Sequence, residues 1–318
     1  MAVREPTAMI GPARQAATRA RGGQGRVSPG WLMVLPAVVY LLVWTVYPLL
    51  FALYTSLTDR VLTKPRTGAF VGLDNFQRLL FEDATFHTAI VNTLWLTVLS
   101  ITIELILGYW VAKLFFRVRN LPGVGVLRTL FIIPIMLTPL IVGLSWAYIL
   151  NPTLGVASHV LSFLRLPNVS WLADPDLALY SVIGINAWQW LPFMMLLVLA
   201  GLNSIPRDLE EVSTLEGANW WQRLRHLEIP FITEVVVLGI LIRVMENLKL
   251  FDIVYATTSG GPGKATEVLS LMAYRQSFLY YNTAYGAAIA ILILIISNIL
   301  VVFLFRTLLR GVAQEVKA

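Results

Sequence analysis

The sequence predicts an all-α, polytopic membrane protein with six transmembrane helices. Of its 318 residues, 57% are hydrophobic and only 13% are charged, and the mean hydropathy is +0.73. A soluble domain carries about 25% charged residues and has no means of hiding so much apolar surface. A bilayer hides it, at about 20 mostly apolar residues for each crossing helix.

Six apolar runs are long enough to cross a bilayer with some tilt. They cover about residues 31–57, 88–116, 126–150, 178–202, 231–254 and 284–307. The first run is too long for the core of a signal peptide, which spans roughly 7–15 residues, so we expect an uncleaved helix.

The net charge of +6, from 24 basic and 18 acidic residues, is unevenly distributed. Residues 1–30 contain Glu5 as their single acid and five arginines: Arg4, Arg14, Arg19, Arg21 and Arg26. Their Gly, Ala and Pro content predicts a disordered tail. We interpret it as a positive cytoplasmic anchor beside the first membrane helix. Nucleic-acid binding and the start of a signal peptide are the alternatives.

Loop charges predict that both termini are cytoplasmic. Basic residues exceed acidic ones in the tail, around the second loop (Lys113, Arg117, Arg119 and Arg128) and at the C-terminus. By the positive-inside rule these parts, and the stretch 203–230, face the cytoplasm. The predicted organisation is a tail 1–30, a first transmembrane helix with an extracytoplasmic loop 31–87, a core transmembrane domain 88–307 and a C-terminal tail 308–318.

The sequence offers few groups for catalysis. Without cysteine it has no disulfide, thiolate metal site or cysteine nucleophile. Its histidines, His87, His159 and His226, are too far apart in sequence to form a metal-ligand motif, and the loops 58–87 and 151–177 contain no catalytic carboxylate signature. There is no G-x-x-x-x-G-K-[ST] loop either, so we expect no nucleotide chemistry in this chain.

A charged segment, residues 204–230, interrupts the apolar runs. Ser204 and Pro206 predict a helix start, and Gly217 predicts its end. Asn219 then caps a predicted second helix, Trp220 to Ile229, which ends before Pro230. The pattern predicts two short helices joined at a glycine outside the membrane. An amphipathic helix resting on lipid headgroups is an equally good interpretation of this pattern alone.

Three motifs resemble those of maltose-type carbohydrate permeases of binding-protein-dependent ABC importers. Residues 211–218 read EVSTLEGA, similar to the family's E-A-A-x-x-D-G-A signature, and Pro230 closes the tail that follows. Val212, Ser213 and Glu216 depart from that signature. Residues 251–262, FDIVYATTSGGP, resemble the outward-facing segment of the same branch, and residues 71–76, VGLDNF, resemble the turn after the first span.

The resemblance implies a type I ABC importer permease fold and a function. Segment 204–230 would be a coupling segment that docks on a cytoplasmic ATPase, with Glu211 as the acidic contact and Gly217 as the tight turn. Glu216, Ala218 and Pro230 belong to the same signature, and Gly260, Gly261 and Pro262 to the extracytoplasmic loop. The implied partners are a second permease, two ATPase subunits that use ATP and Mg, and an extracytoplasmic sugar-binding protein. This chain would bind no cofactor and would itself be non-catalytic, in a bacterial inner membrane.

Two helical faces carry polar residues at membrane depth. Asn186, Gln189, Trp190 and Phe193 share one face of the fourth span, and Arg243, Asn247 and Leu250 share one face of the fifth. Such groups normally face a bundle interior or a watery cavity, so they are the candidate sugar path, as the resemblance also implies. Alternatively, Asn186 and Asn247 only bridge helices, and Arg243 only neutralises Glu246.

An ion-coupled secondary transporter is the rival function. It would require intramembrane acids or ion-coordinating groups, for which Glu104, Glu246 and Lys249 are candidates. Dependence of transport on an ATPase discriminates between the two functions. A membrane enzyme and a purely structural membrane protein are further alternatives.

Overall fold

The computed structural model describes the backbone of residues 29–315 and the side chains of residues 33–306. Most of the predicted tail 1–30 therefore lies outside the described residues. Within them the chain is helical, apart from one antiparallel bridge between Thr58 and Phe70. The helices are α1 (Pro29–Ser56), α2 (Asp74–Gln77), α3 (Ala84–Arg117), α4 (Val124–Met136), α5 (Pro139–Ile149), α6 (Val156–Phe163), α7 (Pro175–Asn203), α8 (Arg207–Leu215), α9 (Trp220–Arg223), α10 (Ile229–Leu248), α11 (Asp252–Thr257), α12 (Leu269–Tyr274) and α13 (Thr283–Glu315).

The chain divides into two compact units, one ending at Leu49 and the other beginning at Leu50. The described part of the first unit is residues 29–49 of α1, whose side chains from Met33 to Leu49 are exposed and almost entirely apolar. So large an apolar surface is stable only when lipid or another protein covers it.

In the second unit, α3 and α7 pack along each other and carry most of the core. Their contact is close at Gly108, where an added Cβ would lie 3.2 Å from Met194 and Met195 atoms. One apolar cluster joins them to α5, α11 and α12, and another joins them to α4 and α10. The two helices therefore form the frame on which the functional residues are mounted.

Asp83 fixes the start of α3. Its carboxylate accepts hydrogen bonds from the backbone N–H of Thr85 at 2.8 Å and of Phe86 at 3.2 Å, and from the Tyr285 hydroxyl at 2.7 Å. Burial alone would raise the pKa of this carboxyl, but the hydrogen bonds from Tyr285 and the backbone hold it below its usual range. Asp83 thus caps α3 as an anion and ties it to α13.

Among the described residues, four helices are long and apolar enough to cross a membrane: α1, α3, α7 and α13. The predicted third span is not one straight helix, because α4 and α5 meet at a bend of 97°. Leu137 and Thr138 are extended there, since the residue before Pro139 avoids the helical conformation. Counting that pair as one span gives five.

The predicted fifth span, residues 231–254, is shorter and more polar than expected. Helix α10 ends at Leu248, and its 20 residues include Glu234, Arg243 and Glu246. It is not among the helices whose composition alone would place them in a membrane. The last helix, α13, continues to Glu315, beyond the predicted boundary at residue 307.

Candidate functional site

The segment 204–230 begins with α8, a short helix that lies on the surface. Pro206 precedes it, and Asp208 and Glu210 fill its first turn, where acids favour the helix dipole. Its apolar edge is not covered, since Leu215 is 87% exposed. Glu211 and Glu216 are exposed as well, and neither forms an ion pair with a described residue. This surface therefore has both apolar and acidic groups available for a partner.

Gly217 closes α8 with a left-handed turn, as the sequence predicts. Its φ is +70°, a conformation that glycine adopts without strain. The N–H of Gly217 donates to the Thr214 carbonyl at 3.1 Å, and the N–H of Ala218 donates to the Ser213 carbonyl at 3.0 Å. These two bonds form a Schellman motif, which satisfies the last carbonyls of the helix.

The second helix of the segment starts where predicted but does not end there. Asn219 caps it in a capping box: Asn219 Oδ1 accepts from the Gln222 N–H, and Gln222 Oε1 accepts from the Asn219 N–H. The chain then passes through a π-helical turn, Leu224–Glu228, straight into α10. The prediction that this helix ends before Pro230 is wrong. Pro230 lies in the first turn of α10, directly after the π turn, where the α-helical ladder is already interrupted and a missing N–H is tolerated.

A buried ion pair anchors this second helix to α3. Lys113 Nζ lies 3.0 Å from Glu228 Oε2, and each side chain is 9% exposed. The Tyr109 hydroxyl donates to the same carboxylate oxygen and accepts from Lys113 at 2.9 Å. Beside the pair, the rings of Trp110 and Trp220 stack with centroids 5.7 Å apart and planes inclined by 12°. By contrast, the ion pair that α8 makes among the described residues, Arg119 with Glu210 at 3.4 Å, is more exposed.

We predict that Lys113→Met lowers the free energy of unfolding by about 3 kcal/mol, because it leaves the Glu228 carboxylate buried without its cation. Thermal unfolding of the detergent-purified chain measures this. The matched control is Lys249→Met, which breaks the exposed Lys249–Glu246 pair and should change stability by less than about 0.5 kcal/mol. Equal effects in the two variants would contradict the anchoring role.

A second cluster of polar residues lies where α3, α7 and α10 meet. The Arg243 guanidinium donates from Nε to Glu104 Oε2 at 2.7 Å and from Nη2 to Glu104 Oε1 at 2.6 Å. Both side chains are fully buried. Arg243 also lies over the Trp190 ring, 4.4 Å from its centroid, and Phe193 packs edge-on against that ring. Glu104 therefore neutralises Arg243 within the bundle.

The amides of the cluster bridge the same helices. Asn186 Nδ2 donates to Asn247 Oδ1 at 2.9 Å and to Ser100 Oγ at 3.1 Å. Gln189 Nε2 donates to the Leu137 carbonyl at 2.8 Å, at the break between α4 and α5. The break thus exposes a backbone carbonyl that a side chain of α7 satisfies.

Four buried atoms of this cluster have no hydrogen-bond partner among the described residues. They are the acceptors Asn186 Oδ1 and Gln189 Oε1 and the donors Arg243 Nη1 and Asn247 Nδ2. Leaving a buried polar atom unsatisfied costs about 1–3 kcal/mol, and such atoms are rare in native proteins. Their concentration in one place indicates a site that polar groups of a ligand or water complete.

The structure brings most of the predicted path residues together, with one exception and one correction. Leu250 lies beyond the end of α10 and packs in the core beside α11. The suggestion that Arg243 is neutralised by Glu246 is wrong, because Glu246 pairs with Lys249 at 3.0 Å. The bridge between Asn186 and Asn247 is present. Sequence reasoning considered Glu104 only for ion coupling, although a lone acid in an apolar span signals a buried cation.

The predicted extracytoplasmic loop at Gly260, Gly261 and Pro262 is a tight turn. Gly260 and Gly263 have positive φ, and an added Cβ at Gly260 would collide with the Glu267 carboxylate. Glu267 pairs with Arg275 at 2.5 Å. Burial raises the pKa of the Glu267 carboxyl, and the Arg275 and Lys264 cations oppose that rise. Gly260, Gly261 and Pro262 therefore form a turn held by this pair. Within the described residues no group of acids and histidines is arranged to hold a metal ion.

The long apolar helices, the interior polar cluster and the exposed segment define a multi-pass membrane permease. The chain matches the family "Binding-protein-dependent transport system inner membrane component" over residues 104–314, and it belongs to that family. It is therefore a permease subunit of an ABC transporter. This membership gives no support to the ion-coupled alternative.

Similar proteins cover nearly the whole chain. The "Trehalose/maltose transport system permease protein MalF" of Thermococcus litoralis is 35% identical over 266 residues, which are 83% of this chain and 88% of that protein. The "Trehalose transport system permease protein SugA" of Mycobacterium tuberculosis is 33% identical over 263 residues, 83% of each chain. A crystal structure of a bacterial alginate ABC transporter with an alginate pentasaccharide-bound periplasmic protein superposes with a TM-score of 0.77, at 23% identity over 89% of this chain and 94% of the other. This last likeness confirms the type I ABC importer permease fold.

Proposed function

We propose that this chain is the permease subunit of an ATP-driven importer that moves a sugar or sugar derivative across the membrane. The relatives named for trehalose and maltose transport support the substrate class. The observation that carries the mechanism is the exposed segment 204–230, which ends in the helix that holds Arg243 and Asn247. Helix α10 thus connects the exposed segment, on which an ATPase would dock, to the polar cluster.

The coupling surface is α8 with the groove beside it. That groove has a volume of about 410 Å³ and lies between α8 and the second helix, lined by Leu209, Val212, Glu216 and Gln222 among others. The groove has an apolar floor and both Glu216 and Arg223 in its lining, while Glu211 and Glu216 are the exposed acids of α8 that a basic cleft on an ATPase subunit would meet. ATP and Mg would be bound and used by that partner, and this chain would be non-catalytic. The full assembly would hold a second permease, two ATPases and an extracytoplasmic binding protein.

We predict that Glu211→Lys and Gly217→Val abolish ATP hydrolysis stimulated by the binding protein, while membrane insertion stays normal. The first variant places a cation against a basic partner. The second forces a β-branched residue to adopt a φ of +70°, which distorts the turn. ATPase activity and uptake in proteoliposomes measure both effects.

Matched controls separate this mechanism from misfolding. Gly217→Asn should retain far more activity than Gly217→Val, because asparagine tolerates the left-handed conformation. Glu211→Gln should be milder than Glu211→Lys, because it removes a charge without reversing it. Normal stimulated hydrolysis and uptake in Glu211→Lys and Gly217→Val would refute the assignment.

The polar cluster of α3, α7 and α10 is the proposed sugar path. Its unsatisfied donors and acceptors match the hydroxyl groups of a sugar, each of which both donates and accepts. Arg243 lies over the Trp190 ring, and an aromatic ring of this kind is the surface on which the apolar side of a pyranose packs. The Glu104–Arg243 pair is neutral as a whole, so the path presents dipoles more than net charge.

We predict that Asn186→Ala, Trp190→Ala and Asn247→Ala impair sugar uptake but leave binding-protein docking and basal ATPase activity intact. Each removes a hydrogen-bond partner or the stacking surface, at a cost of about tenfold in uptake for each lost bond. The control is Asn298→Ala, since Asn298 is exposed on α13 and bonds only its own helix. Wild-type uptake in all three path variants would place the sugar elsewhere.

The proposed topology puts both termini in the cytoplasm of a bacterial cell. The tail 1–30 and the C-terminal region 308–318 would flank a first helix with its outer loop, 31–87, and the core domain 88–307. Family membership supports an inner-membrane, multi-pass location.

We predict that reporter fusions at Gly123 and Gly261 report the cytoplasm and the exterior, respectively. Gly123 follows the basic end of α3, and Gly261 lies in the turn between α11 and α12, which is predicted to be extracytoplasmic. Alkaline phosphatase and green fluorescent protein fusions give opposite signals at each position. The same side for both glycines would exclude this topology.

A further inference from the structure

A polar pocket lies between the end of α3 and the second helix of the segment 204–230. Its volume is about 250 Å³. That is less than the roughly 300–1,000 Å³ of pockets for drug-sized ligands, so a nucleotide is too large for it. Leu202 and Ala218 close its sides, and Trp220 lines it with an aromatic ring. The pocket therefore suits one small polar group.

The charges around this pocket do not balance. Three basic side chains, Lys113, Arg117 and Arg223, line it together with one acid, Glu228. Lys113 is already paired with Glu228. Arg117 and Arg223 form no ion pair with any described residue. Arg117 is exposed and Arg223 is half-buried, and two cations that line one small space attract an anion more strongly than either does alone.

The chemistry of two guanidinium groups selects the anion. Each presents a planar fork of N–H donors, which matches the oxygens of a phosphate group. Glu228, the one carboxylate that lines the pocket, is already held by Lys113, and Glu210 of α8 is paired with Arg119. The two arginines are therefore available to an anion from outside the chain.

We propose that Arg117 and Arg223 bind a single phosphate group in this pocket, as a lipid headgroup or as a free phosphate ester. The stacked Trp110 and Trp220 rings lie beside it, and tryptophan is enriched at the headgroup level of a bilayer. Basic pockets between helices on the cytoplasmic side are known headgroup sites, which favours the lipid source. Because Trp220 and Glu228 belong to the segment 204–230, an occupied pocket would hold the second helix of that segment against α3.

Native mass spectrometry of the full-length chain, purified in nonionic detergent with its partner subunits, tests the proposal. One arm titrates phosphatidylglycerol and the other titrates glycerol 3-phosphate. We expect one molecule of ligand to bind per chain in one of the two titrations. The double variant Arg117→Gln/Arg223→Gln should lower the affinity for that ligand by about tenfold or more. The control is Arg225→Gln, an exposed arginine of the same segment that does not line the pocket and should leave binding unchanged.

The arms separate the possible results. Variant-sensitive binding of phosphatidylglycerol alone identifies a lipid headgroup, and variant-sensitive binding of glycerol 3-phosphate identifies a free phosphate ester. The proposal is overturned if neither ligand binds, or if Arg225→Gln weakens binding as much as the double variant. It is also overturned if the double variant loses its ATPase subunits, since the arginines would then belong to the docking surface. Elution volume and unfolding temperature verify that the variants are folded.

Discussion

The buried pair of Glu104 and Arg243 is the interaction on which the transmembrane core depends. A lone charge at membrane depth costs free energy, and each member of this pair lowers that cost for the other by supplying the opposite charge. Its two hydrogen bonds, at 2.6 and 2.7 Å, fix α10 against α3 in one register. Once that register is set, Asn247 lies opposite Asn186 and Trp190 packs on the guanidinium. The pair thus specifies the arrangement of three helices more than it adds stability.

Helix α10 connects this core to the segment 204–230 without a break. From the capped start at Asn219, the chain is helical through the π turn to Leu248. Helix α10 alone has 20 residues, a length of about 30 Å, so a displacement at its first turn is carried to Arg243. A second connection is the ion pair between Lys113 of α3 and Glu228, the residue directly before the first turn of α10. Both connections end at the polar cluster, because α3 also carries Glu104.

Local signals in the sequence predicted the features that depend on local chemistry. The Gly217 turn and the Asn219 cap follow from residue types at fixed spacing, and the structure contains both. The continuation through Pro230 was missed, because a π turn has no sequence signature and a proline usually marks a boundary. The pairing of Arg243 was also assigned wrongly. Glu246 is three residues away along the chain, whereas Glu104 is 139 residues away, and only the fold brings it near.

The two ion pairs that attach the segment 204–230 to α3 and the loop after it differ in strength. This difference divides the segment into a movable part, α8, and a fixed part, the second helix. The half-buried Arg119–Glu210 pair is one contact at 3.4 Å, and ion pairs that water reaches contribute about 0–1 kcal/mol, so this pair adds little to holding α8 in place. Breaking the buried Lys113–Glu228 pair costs about 3–5 kcal/mol, so the second helix moves only together with α3. Gly217 lies between these parts, and no atom outside its immediate neighbours lies within 4 Å of where its Cβ would be. In the proposed function, a partner that contacts α8 would first change its orientation about Gly217, and a larger displacement would move α3 and α10 together.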